Sequence, residues 1–213
     1  DKRNINALFA KGLSLNKLER DKEAAEVLEN VLAIDPSHEK SLKLLPASYA
    51  AAGMTDKAMA AYDKGIQAYP DDFYFYHAKG VLCMKLGTFD KAAGLFRQAL
   101  AKSPDRMEIR EKLMFAFKEA GRMDDAYKVA REILAKDGSH ARARVIAADH
   151  LRLSGDLEDA LKEYERAAGN IETKAYAEHF IEVINQKLEE QEIEQEYQER
   201  MRKQNRNREQ KGG

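Results

Sequence analysis

The 213-residue chain has one cysteine, Cys83, no tryptophan and only four prolines. A single cysteine excludes an internal disulfide framework and fits a reducing compartment. No uninterrupted apolar run approaches the roughly 18 residues that a membrane-spanning helix requires. We therefore expect a cytoplasmic protein without a transmembrane segment. Because the sequence starts with Asp1 and not with methionine, a leading segment or a further repeat is compatible with it.

The chain also lacks an excess of charge of either sign. It has 36 lysine and arginine residues against 37 aspartate and glutamate residues, for a formal net charge of −1. A dedicated nucleic-acid binder carries a basic excess, so no nucleic-acid partner is expected. The stretch from Arg200 to Lys211 is locally basic. We interpret it as a solvated charge run; the alternative is contact with nucleic acid or acidic lipid.

Motifs that carry chemistry are missing as well. The sequence contains neither a P-loop nor a G-x-G-x-x-G fingerprint. Its five histidines are dispersed, without an H-E-x-x-H motif or a cluster of cysteine and histidine. We therefore predict no catalytic residue, no metal site and no cofactor, and interpret the chain as non-enzymatic. Cys83 is expected to be a buried structural thiol.

What the chain does contain is a repeat. Alanines recur every 34 residues at Ala24, Ala58, Ala92, Ala126 and Ala160. Glycines keep the same interval at Gly53, Gly87, Gly121 and Gly155, and prolines at Pro36, Pro70 and Pro104. A fixed period of this length is the signature of a solenoid, in which each unit packs on its neighbours.

The segment from Phe73 to Arg106 resembles the repeat of the tetratricopeptide repeat (TPR) family, whose period is also 34 residues. The matching residues are Tyr76, Gly80, Ala92, Phe96, Ala99 and Pro104. Lys79 and Cys83 depart from the family pattern. The resemblance implies an all-α, right-handed superhelical TPR solenoid of five helix-turn-helix repeats over residues 5–170. The expected repeats are 5–38, 39–72, 73–106, 107–140 and 141–170.

A further helix is expected after the repeats, over residues 171–188. Its apolar residues step by four, three and four positions at Ala177, Ile181, Ile184 and Leu188. Such steps form one helical stripe, which suits a helix that caps the open end of a solenoid. Residues 189–213 are highly charged, and we expect them to form a fraying helical or disordered tail.

Two positions depart from the repeat in ways that predict local differences. Glu19 stands where later repeats have the turn glycine, so this turn is expected to be less tightly specified. Pro46 falls inside the first helix of the second repeat. Because proline removes a backbone N–H and crowds the carbonyl four residues back, we predict a kink or a delayed helix start there.

The resemblance implies a concave groove lined by the first helix of each repeat. Carried over residue by residue, the candidate groove residues are Phe9, Leu13, Lys40, Lys43, Tyr74, His77, Val81, Lys85, Phe115, Arg142 and Val145. A contiguous apolar patch marks an interaction site. The mixture of apolar and basic side chains suits an extended or helical peptide with some acidic residues. The alternative is that the patch only closes against the next turn or another copy.

One binding mode within the family is not expected from this sequence. The co-chaperone members hold a terminal carboxylate with lysine, asparagine and arginine side chains. The matching positions here are Phe9, Leu13, Leu44, Tyr74 and Ala78, none of which can replace those side chains.

The resemblance thus predicts a scaffold that binds proteins or peptides in its groove. A second hypothesis is a self-assembling, homo-oligomeric scaffold of an organelle or membrane, such as the magnetosome-associated bacterial TPR proteins, which have a similar repeat number and size. A third is an accessory subunit of an enzyme or secretion complex. Peripheral association with a membrane-bound partner is compatible with each of them.

Overall fold

The repeat period becomes a series of helices of 11 to 14 residues, followed by one longer helix. The structure, a computed structural model, describes residues 4–211, with side chains described as far as residue 207. These residues form eleven helices and no strand. The first seven helices are α1 (Ile5–Lys17), α2 (Asp21–Ile34), α3 (Glu39–Ala51), α4 (Thr55–Ala68), α5 (Phe73–Lys85), α6 (Phe89–Lys102) and α7 (Met107–Glu119). The others are α8 (Met123–Lys136), α9 (Ala141–Ser154), α10 (Leu157–Ala167) and α11 (Lys174–Lys211).

The helices belong to two units, and the division falls between α7 and α8. Unit 1, Asp1–Arg122, contains α1 to α7; unit 2, Met123–Gly213, contains α8 to α11. In unit 1 each helix packs on the next, and α3 also contacts α1 and α5. In unit 2, α9 packs on α8 and α10, and α10 packs on α11. This is the helix-on-helix packing that amphipathic helices of this length require to bury their apolar stripes.

The turns within the helix pairs share one left-handed conformation. Gly53, Gly87, Gly121 and Gly155 have φ values of 75°, 69°, 74° and 91°. Glu19 adopts φ 59° in the same place, so the first turn keeps the geometry of the others without their glycine. The amide of Arg20 donates to the carbonyl of Leu15 at 3.0 Å, as the amide of Met54 does to that of Tyr49 at 2.8 Å. These are Schellman-type bonds that close the last turn of a helix.

The core of unit 1 includes a cluster that extends from α2 to α5 and depends on small residues opposite large ones. Phe75, which is fully buried, packs in a cluster with Leu28, Tyr62 and other apolar side chains. Gly65 makes this possible, because a Cβ at that position would overlap the ring of Phe75. Cys83 is 1% exposed, so the prediction of a buried thiol is confirmed.

The helix that contains Pro46 starts at its expected place. Helix α3 runs from Glu39 to Ala51 without interruption, so the prediction of a delayed start is wrong. His38 caps it, with the ring Nδ1 accepting from the amide of Ser41 at 3.3 Å. Pro46 itself is fully buried, so its ring contributes apolar packing at the position where it removes a backbone bond. The local kink stays a prediction.

The last helix begins later and ends later than the expected cap. Residues 170–173 form a turn in which the amide of Glu172 donates to Oδ1 of Asn170 at 2.9 Å. The Thr173 hydroxyl donates to the carbonyl of Ala167 at 2.6 Å. Helix α11 therefore starts at Lys174 and not at Ile171, and it continues to Lys211 across the expected boundary at residue 188. Gly212 and Gly213, part of the predicted tail, lie outside the described residues.

Candidate partner-binding surfaces

The first surface is the face of α1, α3, α5 and α7 in unit 1 that carries the candidate groove residues; we call it the first-helix face. Phe9, Leu13, Val81 and Phe115 are half-buried there. Phe9 is partly covered, since its ring lies 5.3 Å from that of His38. Part of each of these apolar side chains therefore remains open to solvent.

Two candidate residues of this face are in contact with each other. The Tyr74 hydroxyl reaches the carbonyl of Lys43 at 3.4 Å, and the Lys43 ammonium lies 5.3 Å from the Tyr74 ring. Lys43 also pairs with Asp72 at 2.7 Å and with Glu39 at 2.6 Å. The hydrogen bond with Asp72, followed by that with Glu39, raises the pKa of Lys43. Its charge is thus already compensated within unit 1, which reduces its value for an acidic ligand.

His77 is not a surface cation. Burial, followed by the charge of Lys112, lowers the pKa of its imidazole, so the ring is neutral at neutral pH. Its ring lies 6.0 Å from that of Phe96, and its buried Nε2 has no hydrogen-bond partner among the described residues. Among the candidate residues of unit 1, the exposed basic ones are Lys40 and Lys85. The cationic part of the surface is therefore smaller than the sequence suggests.

In unit 2 the two candidate residues lie against the end of the chain, Val145 buried and Arg142 exposed. Val145 is 8% exposed and belongs to a core cluster with Ala177 and Ile184 of α11, so it does not line an open groove. Arg142 pairs with Glu172 at 2.7 Å in the turn before α11. Val145 therefore packs against the last helix, and its sequence-based assignment to a groove is wrong for this physical reason.

A polar network around the buried carboxylate of Asp149 completes the attachment of α11. The carboxylate of Asp149, 2% exposed, accepts from the Tyr164 hydroxyl at 2.5 Å and from the Tyr176 hydroxyl at 2.9 Å. Arg152 donates to the Tyr164 hydroxyl at 3.3 Å and lies 4.4 Å from the centre of the Phe180 ring. Burial, the largest cause, and Asp149 raise the pKa of Tyr164 and bring that of Tyr176 to about 12. This network fixes α11 to α9 and α10.

A second surface, which the sequence analysis did not identify, lies on the opposite side of α3. It is a cleft of about 690 Å³ between α2 and α4, and we call it the α2–α4 cleft. Helix α3 provides its floor with Leu42, Leu45, Pro46 and Tyr49. The walls are formed by Glu29, Leu32, Ala33, Pro36, Lys57, Ala60, Ala61 and Lys64. The surface is apolar at its base and charged along its edges.

Small side chains keep this cleft open. Ala61 occupies the repeat position at which α6 has Leu95 and α8 has Val129, and Ala60 precedes it. Alanine in place of leucine or valine was the one sequence feature that could have indicated the cleft. It indicates a cleft only when the positions of the neighbouring helices are known. At the rim, the Tyr49 hydroxyl donates to Glu29, and the Lys57 ammonium lies 5.3 Å from the Tyr49 ring.

Other kinds of site are less developed in the described part of the chain. Within residues 4–207, no three histidine, cysteine, aspartate or glutamate side chains are placed to hold a metal ion. Among the helices of the described chain, none combines the length and apolar character of a membrane span. Among the described residues, the first-helix face and the α2–α4 cleft are therefore the candidate functional sites.

Helix pairs of constant length, closed by the same turn and presenting such surfaces, define a helical-repeat scaffold. Three family models described as tetratricopeptide repeat match the chain: one at residues 48–106 and 116–175, one at 84–143 and one at 5–38. The chain belongs to the tetratricopeptide repeat family. The family assignment and the all-α TPR fold predicted from sequence are thereby confirmed.

A curated relative and several solved structures are similar to the chain. The TPR repeat-containing protein YpiA of Bacillus subtilis (strain 168) is 25% identical over 130 residues, which are 60% of this chain and 30% of YpiA. A crystal structure of MamA matches with a TM-score of 0.69 and 18% identity, covering 81% of this chain and 94% of the other. That of YrrB, described as a TPR protein with an unusual peptide-binding site, matches with a TM-score of 0.67 and 18% identity. The YrrB match covers 81% of this chain and 89% of YrrB. At these identities the structures show the fold alone.

Proposed function

We propose that the chain is a non-enzymatic scaffold that binds an extended or helical segment of another protein on the first-helix face of unit 1. The observation that carries this proposal is the set of partly exposed apolar side chains on α1, α5 and α7. They are Phe9, Leu13, Tyr74, Val81 and Phe115. Apolar side chains that recur on one face without being buried mark interaction surfaces, and large aromatic ones are the usual anchors of binding energy.

The charges of this face favour a ligand that is apolar with a few acidic residues. Lys40 and Lys85 are exposed, whereas Lys43 is paired with acidic groups and His77 is neutral at neutral pH. Two exposed lysines add long-range attraction and orientation more than raw affinity. Most of the binding free energy is therefore assigned to the aromatic anchors.

The rigidity of the helices supports the same proposal. Helix α5, which carries Tyr74 and Val81, is fixed on both sides by buried contacts with α4 and α6. A receptor that is already ordered loses little conformational entropy on binding. YrrB, which has a similar fold and is described as having an unusual peptide-binding site, is consistent with this mode of action.

Selection of peptides tests the proposal. A random phage-displayed library is selected against the full chain, and the affinities of the selected peptides are measured for the wild type and for Tyr74→Ala/Phe115→Ala. We expect the double variant to lose about 2 kcal/mol or more. Gln67→Ala/Gln98→Ala, at exposed positions of α4 and α6, is the matched control and keeps full affinity.

Because Tyr74 is half-buried, Tyr74→Ala/Phe115→Ala could lose affinity through a folding defect. A second variant therefore changes exposed side chains only. Lys40→Glu/Lys85→Glu changes only exposed side chains, and we expect it to bind acidic selected peptides about tenfold more weakly, or about 1.4 kcal/mol. Melting curves followed by circular dichroism establish that each variant is folded. Selected peptides that bind all variants equally would place the binding surface elsewhere and refute the proposal.

A further inference from the structure

A row of apolar side chains projects from the outer half of α11. We call residues 189–207 the α11 arm; every side chain in it is exposed. Within the arm, Ile193 is 63% exposed, Tyr197 55% and Met201 37%. Polar and charged side chains surround these three. In folded proteins most helical stability comes from packing an apolar face on a partner, and ion pairs such as Glu196–Arg200 at 3.4 Å add only about 0.2–0.5 kcal/mol each. Within the described residues, the apolar row of the arm has no packing partner.

The spacing of this row argues against a coiled coil as its partner. Ile193, Tyr197 and Met201 follow one another in steps of four residues. A coiled-coil seam alternates steps of three and four to keep an average of 3.5, whereas constant steps of four drift around the helix. Such a row remains on one side for only about two turns, or roughly 12 Å. It suits a short apolar cleft better than a long helical seam.

The α4 edge of the α2–α4 cleft matches the arm in length and charge, while Glu29 lies in the opposite wall. Lys57 and Lys64 line its α4 edge seven residues apart, which is about 10.5 Å along a helix. Glu189 and Glu196 are also seven residues apart on one flank of the apolar row. Lys64 makes no ion pair among residues 4–207, and Lys57 has only a long one, 3.9 Å from Glu29. Lys64 is therefore available to face an acidic side chain, and Lys57 can face one beside its contact with the Tyr49 ring.

We propose that the α11 arm of one copy docks in the α2–α4 cleft of a second copy. Ile193, Tyr197 and Met201 would contact the apolar floor formed by α3, while Glu189 and Glu196 would face Lys57 and Lys64. Each copy has one arm and one cleft, so the contact is heterologous and passes from copy to copy. This association uses a different surface from the first-helix face and does not depend on the proposed function.

The test is a charge swap read by light scattering behind a sizing column. The wild type is expected to increase in mass from low micromolar to near millimolar concentration. The cleft variant Lys57→Glu/Lys64→Glu and the arm variant Glu189→Lys/Glu196→Lys should each associate at least tenfold more weakly. All four side chains are exposed, so folding is expected to be preserved and is verified by circular dichroism.

Mixing the two charge variants gives the decisive comparison. The mixture combines an acidic arm with a basic cleft and a basic arm with an acidic cleft, so association should return although neither variant associates alone. Ile193→Ser/Tyr197→Ser should abolish association in the wild-type background, and the control Lys40→Glu/Lys85→Glu should leave it unchanged. A wild type that stays monomeric, a cleft variant that associates normally, or a mixture without recovery would each overturn the proposal.

Discussion

At the scale of single residues, the repeat geometry overrides local preference. Glu19 holds the left-handed conformation, φ 59°, that four glycines adopt elsewhere in the chain. This conformation costs a residue with a Cβ about 1–2 kcal/mol, because the Cβ approaches the following carbonyl oxygen. The packing of α1 on α2 requires this conformation of the turn. The free energy of that packing therefore offsets the backbone strain at Glu19.

The first prediction concerns this turn. Glu19→Gly should raise the free energy of unfolding by about 0.5–1 kcal/mol, since the relief of strain exceeds the entropy that glycine loses on folding. Gly87→Ala, whose added Cβ would meet no neighbour within 4 Å, should lower it by about 1 kcal/mol through backbone strain alone. Urea unfolding measures both. An unchanged or lower stability of Glu19→Gly would show that Glu19 makes a compensating interaction.

The second prediction concerns buried tyrosines at alkaline pH. Burial raises the pKa of Tyr62 from 10.0 to about 12. The folded protein therefore holds this proton more tightly than the unfolded chain, and the resulting stability is present below pH 10 and lost as the pH rises from about 10 to 12. Tyr62→Phe should reduce this loss by about 1.4 kcal/mol per pH unit. Tyr197→Phe, at an exposed position, is the control. If the stability of the two variants falls equally steeply with pH, the loss does not come from Tyr62.

At the scale of elements, two glycines inside helices have opposite effects on stability. Gly65 of α4 lies against the ring of Phe75, where a Cβ would collide, while Gly94 of α6 is exposed with no atom within 4 Å of an added Cβ. Both positions would gain intrinsic helix propensity from alanine. Only the contact with Phe75 distinguishes them.

The third prediction follows from this pair. Gly94→Ala should stabilise the protein by about 0.5–1 kcal/mol through helix propensity. Gly65→Ala should destabilise it by about 1–3 kcal/mol, because the ring of Phe75 must leave its position in the core. Thermal unfolding of the two variants gives the comparison. If both substitutions stabilise the protein, α4 and α5 can move apart without lowering the free energy of unfolding.

The fourth prediction concerns the attachment of α11. Asp149→Ala leaves the hydroxyls of Tyr164 and Tyr176 without their shared acceptor, so we expect a loss of about 2–3 kcal/mol. Glu165→Ala, at an exposed position of α10, should change stability by less than about 0.5 kcal/mol. Hydrogen exchange of α11 residues 174–188 should accelerate in the first variant only. Slow exchange in both would mean that apolar packing alone holds the helix.

The elements also show how far sequence reasoning extends. The period of 34 residues predicts the helix pairs because it combines buried alanines with turn glycines that punctuate the chain. It does not predict that α3 starts on time in spite of Pro46, since the outcome depends on the cap at His38 and on tertiary packing. Nor does it predict the length of α11, whose outer half has no apolar periodicity beyond three residues.

At the scale of the whole molecule, the candidate site was only partly predictable. The first-helix positions follow from the repeat register, and Phe9, Tyr74 and Phe115 are half-buried in unit 1. Val145 is lost to the core because α11 packs over it. The sequence analysis missed the α2–α4 cleft because the cleft results from small side chains, such as Ala60 and Ala61, and not from a motif. An absence of side-chain volume becomes a cleft only through the spacing of neighbouring repeats.

The two proposals give the scaffold two independent activities. One surface of unit 1 is assigned to a foreign segment, and the cleft on the other side of α3 is assigned to the arm of another copy. A scaffold of this kind gathers several copies of the bound segment, which raises its effective local concentration without any new contact. Loss of the arm should therefore leave the affinity for a single peptide unchanged.

The most direct measurement of the central claim is photo-crosslinking of a selected peptide that carries a benzophenone side chain, with the adducts mapped by mass spectrometry. We expect adducts on α1, α5 and α7, close to Phe9, Tyr74 and Phe115. These adducts should decrease in Tyr74→Ala/Phe115→Ala. Adducts confined to α2 and α4, or to unit 2, would contradict the assignment of the first-helix face as the surface that binds the partner segment.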